Sequence, residues 1–475
     1  MRIIILSLLI LSIASGCNKW LDAKPKSMVE SDQLFGSEKG FEDAMYGVYT
    51  TMAESSLYGE QLTMAFVDVL AQQYNCQSNP SHTYHQASMY NYQDGSVKTW
   101  IDDIWKRMYY AITNLNNILQ KIDSRKDLFQ PGNYELIKGE ALGLRAFLHF
   151  DLVRLFGASP ATGASKPAIP YVTTVSGGVT PLSTVAGVLD SVISDLTSAT
   201  QLLSTYKTVS LSYYSPENSL QNSWLNHRQA HFNYWAAEAT LARVYLYKGD
   251  RQKAFEHAQN VIGADYFSFQ TTDRISNLKD YTFIPEHVFA LSKFNIRPLE
   301  NKYFRVTTNG VNAGTNIQLT NAYGNGGAVD QIYDIATGGV SDVRYAYLWQ
   351  LNGNVYFPTK WWQESGNQIY NNWIPLIRLP EMYYIAAECS ESETAINYLN
   401  IVRDKRGLPA LPSGLDPAVV QEEIRKEYQK EFYAEGQLFY YYKRLNSPSI
   451  RFSVIPPSEQ TYILPLPDAE LQYRN

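Results

Sequence analysis

The sequence predicts a mainly α-helical protein with a tetratricopeptide-like repeat scaffold, interrupted by an irregular, loop-rich insert that contains short strands. Two observations carry this prediction. Apolar residues recur at intervals of three and four over most of the chain, as they do on the buried face of a helix. Between about residues 263 and 377 this periodicity fades, while glycine, asparagine and threonine become frequent, which is typical of strands and loops.

Helices account for most of the first half of the chain. The pattern is clear where Ile101, Ile104 and Met108 recur on one side of a segment, and where Gly157 follows a long periodic run, as glycine often does at a helix end. The predicted helices are 41–52, 100–122, 134–156, 185–203, 232–248 and 251–262.

The last two of these helices form a hairpin through Gly249-Asp250, and its internal spacing is that of a repeat. Ala242 is followed at twelve residues by Ala254 and at four more by Ala258. Small residues at these intervals let two antiparallel helices approach closely, as in tetratricopeptide repeats. The hairpin therefore predicts a helical solenoid.

After the insert, helices are predicted at 378–389, 394–406 and 417–443, and a proline-rich tail at 447–475 is expected to be extended and packed on the body. The helical repeats thus cover about 41–262 and 378–443. Together with the insert at about 263–377 and the tail, they are expected to form one domain over 17–475.

The first residues predict export and a lipid anchor. One positive charge at Arg2 precedes an apolar run over 3–13, and the small residues Ala14-Ser15-Gly16 lead directly to Cys17. The run is too short to span a bilayer, which takes about 20 apolar residues. We interpret 1–16 as a lipoprotein signal peptide that is removed, and Cys17 as the lipidated residue, because several acyl chains anchor stably where one does not.

Composition narrows the kinds of ligand. The net charge of −6 argues against nucleic acid, which needs a basic surface. The chain contains 36 tyrosines, 9 tryptophans and 19 phenylalanines. Tyrosine and tryptophan combine apolar area with a polar tip, so part of this set is available for stacking on a ligand.

Several blocks of the sequence, in order, resemble the SusD/RagB family of outer-membrane lipoproteins. Cys17-Asn-Lys-Trp-Leu-Asp22 resembles the family's start, and Tyr462-Ile-Leu-Pro-Leu-Pro467 its closing signature. Between them, the matching blocks are Lys138–Gly157, Ile377–Pro409 and Ile424–Arg444, the last containing Glu431-Phe-Tyr-Ala-Glu-Gly436.

The resemblance implies a binding protein at the cell surface and no enzyme. Family members cover a SusC-like TonB-dependent barrel transporter and help deliver oligosaccharides, or in some cases peptides, to it. A glycan-binding lipoprotein of the outer membrane is therefore expected, with a RagB-like peptide-binding protein as the alternative. No cofactor is expected.

The ligand site is expected in loops outside the repeats. The segment 68–92 carries tyrosines among polar residues without a helical stripe, and in the family the corresponding segment contributes to the ligand platform together with the insert. Sugar rings present C–H groups that pack on aromatic faces. The candidate ligand-binding residues are Asp68, Tyr74, Asn75, Tyr84, Tyr90, Tyr92, Asn321, Tyr323 and Trp349.

A glycoside hydrolase is the competing enzyme class, since its chemistry needs two carboxyl groups about 5–5.5 Å or 6.5–9.5 Å apart. We expect the candidates to be structural, pairing with Arg145, Arg378 or Arg444; these are Glu140, Glu388, Glu431 and Glu435. His227 and His231 are four residues apart but lack the glutamate of a zinc protease motif, so no metal site is predicted.

The lipid anchor is tested by replacing Cys17 with alanine. The variant lacks the thiol that carries the acyl chains, so we expect it to move from the membrane fraction to the soluble fraction in fractionated cells. Ser15→Ala, which keeps a small residue before the cysteine, serves as the control. A Cys17→Ala protein that stays in the membrane fraction to the same extent contradicts the lipoprotein interpretation.

Overall fold

The computed structural model describes residues 32–207, 223–225, 227–305, 316–322, 327–366 and 369–474. The predicted signal peptide, Cys17 and Tyr323 lie outside these residues. Within them the protein is mainly helical, as predicted. No helix in these described ranges is both long and apolar enough to cross a membrane.

The main helices are α1 (Glu38–Met52), α2 (Gly95–Ile122), α3 (Asn133–Phe156), α4 (Val185–Leu203), α5 (Tyr234–Lys248), α6 (Arg251–Ile262), α7 (Leu379–Glu388), α8 (Ser392–Lys405), α9 (Pro417–Glu431) and α10 (Leu438–Arg444). Helices α1 to α8 lie close to their predicted positions. Shorter helices occur at Phe66–Leu70, His85–Ser88, Pro160–Gly163, Thr272–Ser276, Arg297–Tyr303, Ala328–Ile332, Val343–Tyr347, Glu459–Tyr462 and Asp468–Arg474.

The helices from α1 to α8 form a stack in which each packs on the next along the chain. The α5–α6 hairpin turns at Gly249, which has a φ of 92°, and Ala242, Ala254 and Ala258 are buried in it. Helix α6 packs directly against α7 although 116 residues separate them. The irregular segment is therefore an insertion into a continuous helical stack.

The insert contains most of the strands and also short helices, which the sequence did not indicate. Strand β1 (Pro167–Ile169) pairs with β2 (Ser183–Thr184) before the insert. Within it, β3 (His287–Ser292) pairs antiparallel with β7 (Trp373–Arg378). The remaining strands form one sheet in the order β4-β6-β5: β4 (Asn321–Ala322), β5 (Trp349–Asn352) and β6 (Val355–Pro358).

The single helix predicted over 417–443 is wrong, because the chain breaks between α9 and α10. Ala434 and Gly436 have φ values of 62° and 73°, which a helix does not contain. A Cβ atom on Gly436 would lie 2.1 Å from the carbonyl oxygen of Leu62, so a distant segment sets this conformation. The tail also departs from the extended form predicted, since 459–462 and 468–474 are helical.

A buried ion network joins the insert to the helical stack. Arg378 and Arg406 both bind Glu286 and Glu431, with the Arg406 Nη atoms 2.8 Å from each carboxylate. Arg344 Nη1 lies 2.7 Å from Glu431 Oε2. The network comprises Glu286, Asp342, Arg344, Lys360, Arg378, Arg406, Glu427, Glu431 and Glu435.

The charges of this network survive burial because they are paired. Burial alone would raise the pKa of Glu431, but Arg406, Arg378 and Arg344 outweigh this effect and hold it well below the usual value. The pKa of Glu427 is likewise lowered, to about 2, because Arg344 and other cations outweigh burial. Removing one partner of such a network leaves the others buried and unpaired, which is costly.

The variant Glu431→Gln tests the network. It removes a charge shared by three arginines, so we expect the free energy of unfolding to fall by about 3–5 kcal/mol in urea denaturation. The control is Glu422→Gln, because Glu422 also pairs with an arginine, Arg425 at 2.7 Å, but its side chain is 51% exposed. The free energy of unfolding of this control variant should fall by less than about 1 kcal/mol. Equal losses in the two variants would contradict the structural role assigned to the network.

Candidate ligand-binding site

Three segments that are far apart in the sequence meet outside the helical stack. The first is the loop at 71–94 before α2, and the second is the proline-rich tail at 451–465. The Val454 amide donates a hydrogen bond to Gln77 Oε1 at 3.0 Å, and the Tyr92 hydroxyl donates to the Thr461 carbonyl at 2.6 Å. The loop and the tail therefore lie side by side.

The third segment is the part of the insert around strand β4. The Asn75 amide donates to the Thr320 carbonyl at 2.9 Å, and Asn321 Nδ2 donates to the Gln73 carbonyl at 2.8 Å. Asn321 Nδ2 also contacts the hydroxyl of Tyr433, between α9 and α10, at 2.7 Å. We call the surface formed by the loop, the tail and this part of the insert the binding face.

Two surface cavities occupy the binding face. The first cavity has a volume of about 370 Å³ and is lined by Gln72, Tyr74, Asn75, Gln77, Ser78, Asn321, Gly327, Ala328, Phe452 and Val454. The second cavity has a volume of about 550 Å³ and is lined by Met89, Tyr90, Asn91, Tyr92, Gln93, Ile455, Pro456, Ser458, Gln460, Thr461, Ile463 and Pro465. Both volumes are within the range of about 300–1,000 Å³ typical of small-molecule sites.

Five of the residues selected from the sequence line these cavities. Asn75 is exposed at the first cavity, and Asn321 is buried at its wall. Tyr90 is half-buried at the second cavity, and its hydroxyl accepts a hydrogen bond from Gln72 Nε2 at 3.0 Å. Tyr74 and Tyr92 border the cavities as well, although their rings are almost completely enclosed. The selected loop and the start of β4 thus come together in one place.

The expectation that Tyr74, Tyr84 and Tyr92 lie outside the core is wrong. The exposed fractions of these residues are 3%, 1% and 7%, and all three belong to the hydrophobic core. The hydroxyl of Tyr74 donates to the Met64 carbonyl at 2.8 Å, and the ring of Tyr84 stacks on Trp100 with centroids 4.7 Å apart. Burial raises the pKa of each hydroxyl. None of these rings has a free face on which a sugar could stack.

Asp68 is also a structural residue in this fold. It is completely buried and its Oδ1 accepts a hydrogen bond from the Gly436 amide at 2.9 Å, at the break between α9 and α10. Burial raises its pKa well above the usual value, although the amides of Gly436 and Ala434 act in the opposite direction. The expectation that Asp68 contacts a ligand is therefore corrected.

The remaining aromatic candidates lie elsewhere. Trp349 is half-buried in strand β5, where its ring meets Tyr433 edge-on with centroids 4.6 Å apart, and it lines neither cavity. A ligand contact for Trp349 and for Tyr323, which is not described, stays a prediction.

Sequence reasoning missed the contribution of the tail. Phe452 and Val454 line the first cavity, and Val454 is 71% exposed. Exposed Gln460 lines the second. A tail predicted only to pack on the body gave no reason to place these residues at a site. The alternation of apolar residues with polar ones between its prolines was the available indication.

The four carboxylates that could suggest hydrolysis are held by cations. Arg444 Nη2 binds Glu388 at 2.7 Å, and Arg378 binds both Glu431 and Glu435, so the structural interpretation of these three is confirmed. Glu140 pairs with Arg228 instead of Arg145, which binds Asp195. His231 faces Glu140 as well, with Nδ1 3.3 Å from Oε2. In the described ranges no group of three His, Cys, Asp or Glu residues is placed to hold a metal ion.

Comparison with known proteins gives two family matches. Residues 19–246 match a SusD-like family described as starch-binding and associating with the outer membrane. Residues 305–462 match the SusD family. SusD-like protein P2 of Formosa agariphila is 22% identical, over 96% of this chain and 94% of that protein.

Solved structures share the fold. A putative sugar-binding protein from Bacteroides vulgatus superposes with a TM-score of 0.68 at 21% identity, covering 92% of this chain and 96% of the other. A laminarin-binding SusD-like protein superposes with a TM-score of 0.63 at 18% identity, covering 92% and 98%. Both likenesses extend over the helical stack and the insert together.

Proposed function

Because the chain belongs to the SusD/RagB family, we propose that it is a lipoprotein of the outer-membrane surface that binds oligosaccharides through the binding face and delivers them to a SusC-like TonB-dependent transporter. The observation that carries this proposal is the pair of cavities outside the helical stack. Their walls combine apolar side chains with amides and hydroxyls. Such walls suit sugars, which present C–H groups and hydroxyls together.

The contacts at the face explain how such a site holds its shape. The backbone of the loop is fixed to the insert by the Asn75–Thr320 hydrogen bond, and the Gln77 side chain is held to the tail by the hydrogen bond that its Oε1 accepts from the Val454 amide. Side chains held in place lose less conformational entropy when a ligand binds. The exposed amide of Asn75 then lies on a fixed frame and contributes donors and an acceptor.

A binding role without turnover fits the surroundings of the acidic residues. A general acid needs a carboxyl group that faces the substrate and exchanges a proton. Glu431 and Glu435 are buried and each is paired with a cation. One protein of known structure with this fold is a laminarin-binding SusD-like protein. We therefore propose glycan capture, with peptide capture as the outcome that the experiment below distinguishes.

Binding is tested by affinity electrophoresis of the purified protein in gels containing laminarin, starch, xylan, galactomannan, alginate or polygalacturonate. We expect at least one polysaccharide to retard the protein and none to release new reducing ends. A casein-derived peptide mixture, titrated by calorimetry, tests the alternative. Retardation by no polysaccharide together with heat from the peptides would overturn glycan capture, and new reducing ends would overturn the non-catalytic role.

The transporter partner is tested by purification of an affinity-tagged copy from membranes in mild detergent. We expect a barrel protein of the SusC type to copurify in a stoichiometric amount. Glu422→Gln, which leaves the fold unchanged, should retain the partner, whereas Cys17→Ala should lose it because the variant leaves the membrane. A tagged lipoprotein that is recovered alone, with and without cross-linking, contradicts the proposed complex.

A further inference from the structure

The binding face has an unusual charge composition. Twenty-two residues line its two cavities, and none of them is Asp, Glu, Lys, Arg or His. Charged residues make up 18% of the chain, so about four would be present at that frequency. Protein surfaces are richer in charge than whole chains, which makes the difference larger. Seven of the lining residues are Asn or Gln instead.

Charged residues next to the cavities in sequence have partners within the protein, including Arg451, which lies against the wall of the first cavity. Asp94 caps α2, where it accepts hydrogen bonds from the amides of Ser96 and Val97. Glu459 pairs with Lys166. Arg451 Nη2 donates to the Gln331 carbonyl at 3.0 Å, and its guanidinium lies over the ring of Phe452.

The residues of the insert that line the first cavity carry no charge: they are Asn321, Gly327 and Ala328. The nearest carboxylate of the insert along the chain is Asp330, two residues beyond Ala328; it is half-buried, and burial raises its pKa. The face therefore offers a ligand amides, hydroxyls and apolar surface.

From this composition we infer that the ligand is an uncharged oligosaccharide that extends over both cavities. The inference rests on the proposed function and names the substrate class of the same site. An amide donates to one hydroxyl and accepts from another, so Asn and Gln suit neutral sugars. A uronate or sulfate group would leave its water without gaining a cation from any lining residue, and an unpaired charge is costly to desolvate. The face therefore discriminates against acidic glycans.

The two cavities share a wall, which supports a ligand that spans them. Gln72 of the first cavity donates to the hydroxyl of Tyr90 in the second at 3.0 Å. Val454 and Ile455, which are consecutive in the tail, line one cavity each. A chain of several sugars that passes over this wall contacts both.

The inference that the ligand is uncharged is tested with neutral and acidic polysaccharides in affinity gels. Laminarin, starch, xylan and galactomannan form the neutral set, and alginate, polygalacturonate and fucoidan the acidic set. We expect retardation within the neutral set alone. Retardation by any acidic polysaccharide overturns the inference while the proposed glycan capture stands. Retardation by none of the seven overturns glycan capture itself.

The inference that the ligand extends over both cavities is tested with one variant in each cavity. We expect Asn75→Ala and Gln93→Ala each to weaken binding of long oligosaccharides from the retarding polysaccharide by roughly 3- to 10-fold, the loss of about one hydrogen bond. Both residues are exposed, so melting should be unchanged. Asn397→Ala, on the exposed side of α8, is the matched control. If only one of the two cavity variants weakens binding, the ligand occupies a single cavity, and the inference that it extends over both is wrong.

Discussion

The buried ion network is the constraint on which the arrangement of this protein depends. It takes Glu286, Asp342, Arg344 and Lys360 from the insert. Its other members are Arg378 at the end of β7, Arg406 directly after α8, Glu427 and Glu431 in α9, and Glu435 after α9. Each of these charges is expensive to bury alone, so the network forms only when both parts are in place. Burial of apolar surface holds the stack together, but it specifies no single position for an irregular insert. Ion pairs are directional, so they specify one position for the insert.

The influence of the network reaches the binding face through the small sheet. Lys360, which binds Glu435, follows strand β6 after a single residue. Strand β6 pairs with β4, where Asn321 lies opposite Tyr356. Asn321 then bonds to Gln73 and Tyr433 and forms the wall of the first cavity. The wall of the first cavity is therefore positioned by charges that do not line it.

Local periodicity was sufficient to predict the stack, and α4 was predicted at its observed bounds. Prediction from local periodicity failed where residues distant in the sequence determine the conformation. The break between α9 and α10 depends on the Leu62 carbonyl and the Asp68 carboxylate, which are more than 360 residues away. The prediction for the tyrosines of the loop failed for the same reason. Their polar neighbours indicated exposure, but the Tyr84 hydroxyl lies 3.0 Å from that of Tyr303 in the insert, and the Tyr92 hydroxyl donates to the Thr461 carbonyl in the tail. The sequence identified a loop that borders both cavities without identifying which of its side chains are exposed.

The tail forms one wall of both cavities, and this has a consequence for the synthesis and proteolysis of the polypeptide. The loop at 71–94 is synthesised about 360 residues before 452–465, so neither cavity forms until the tail has been made. A product of premature termination, or one clipped by a protease before residue 452, can retain α1 to α10 and still lack nine of the 22 residues that line the cavities. Under the proposed function, ligand retention is therefore an assay for chain integrity that helical content does not provide.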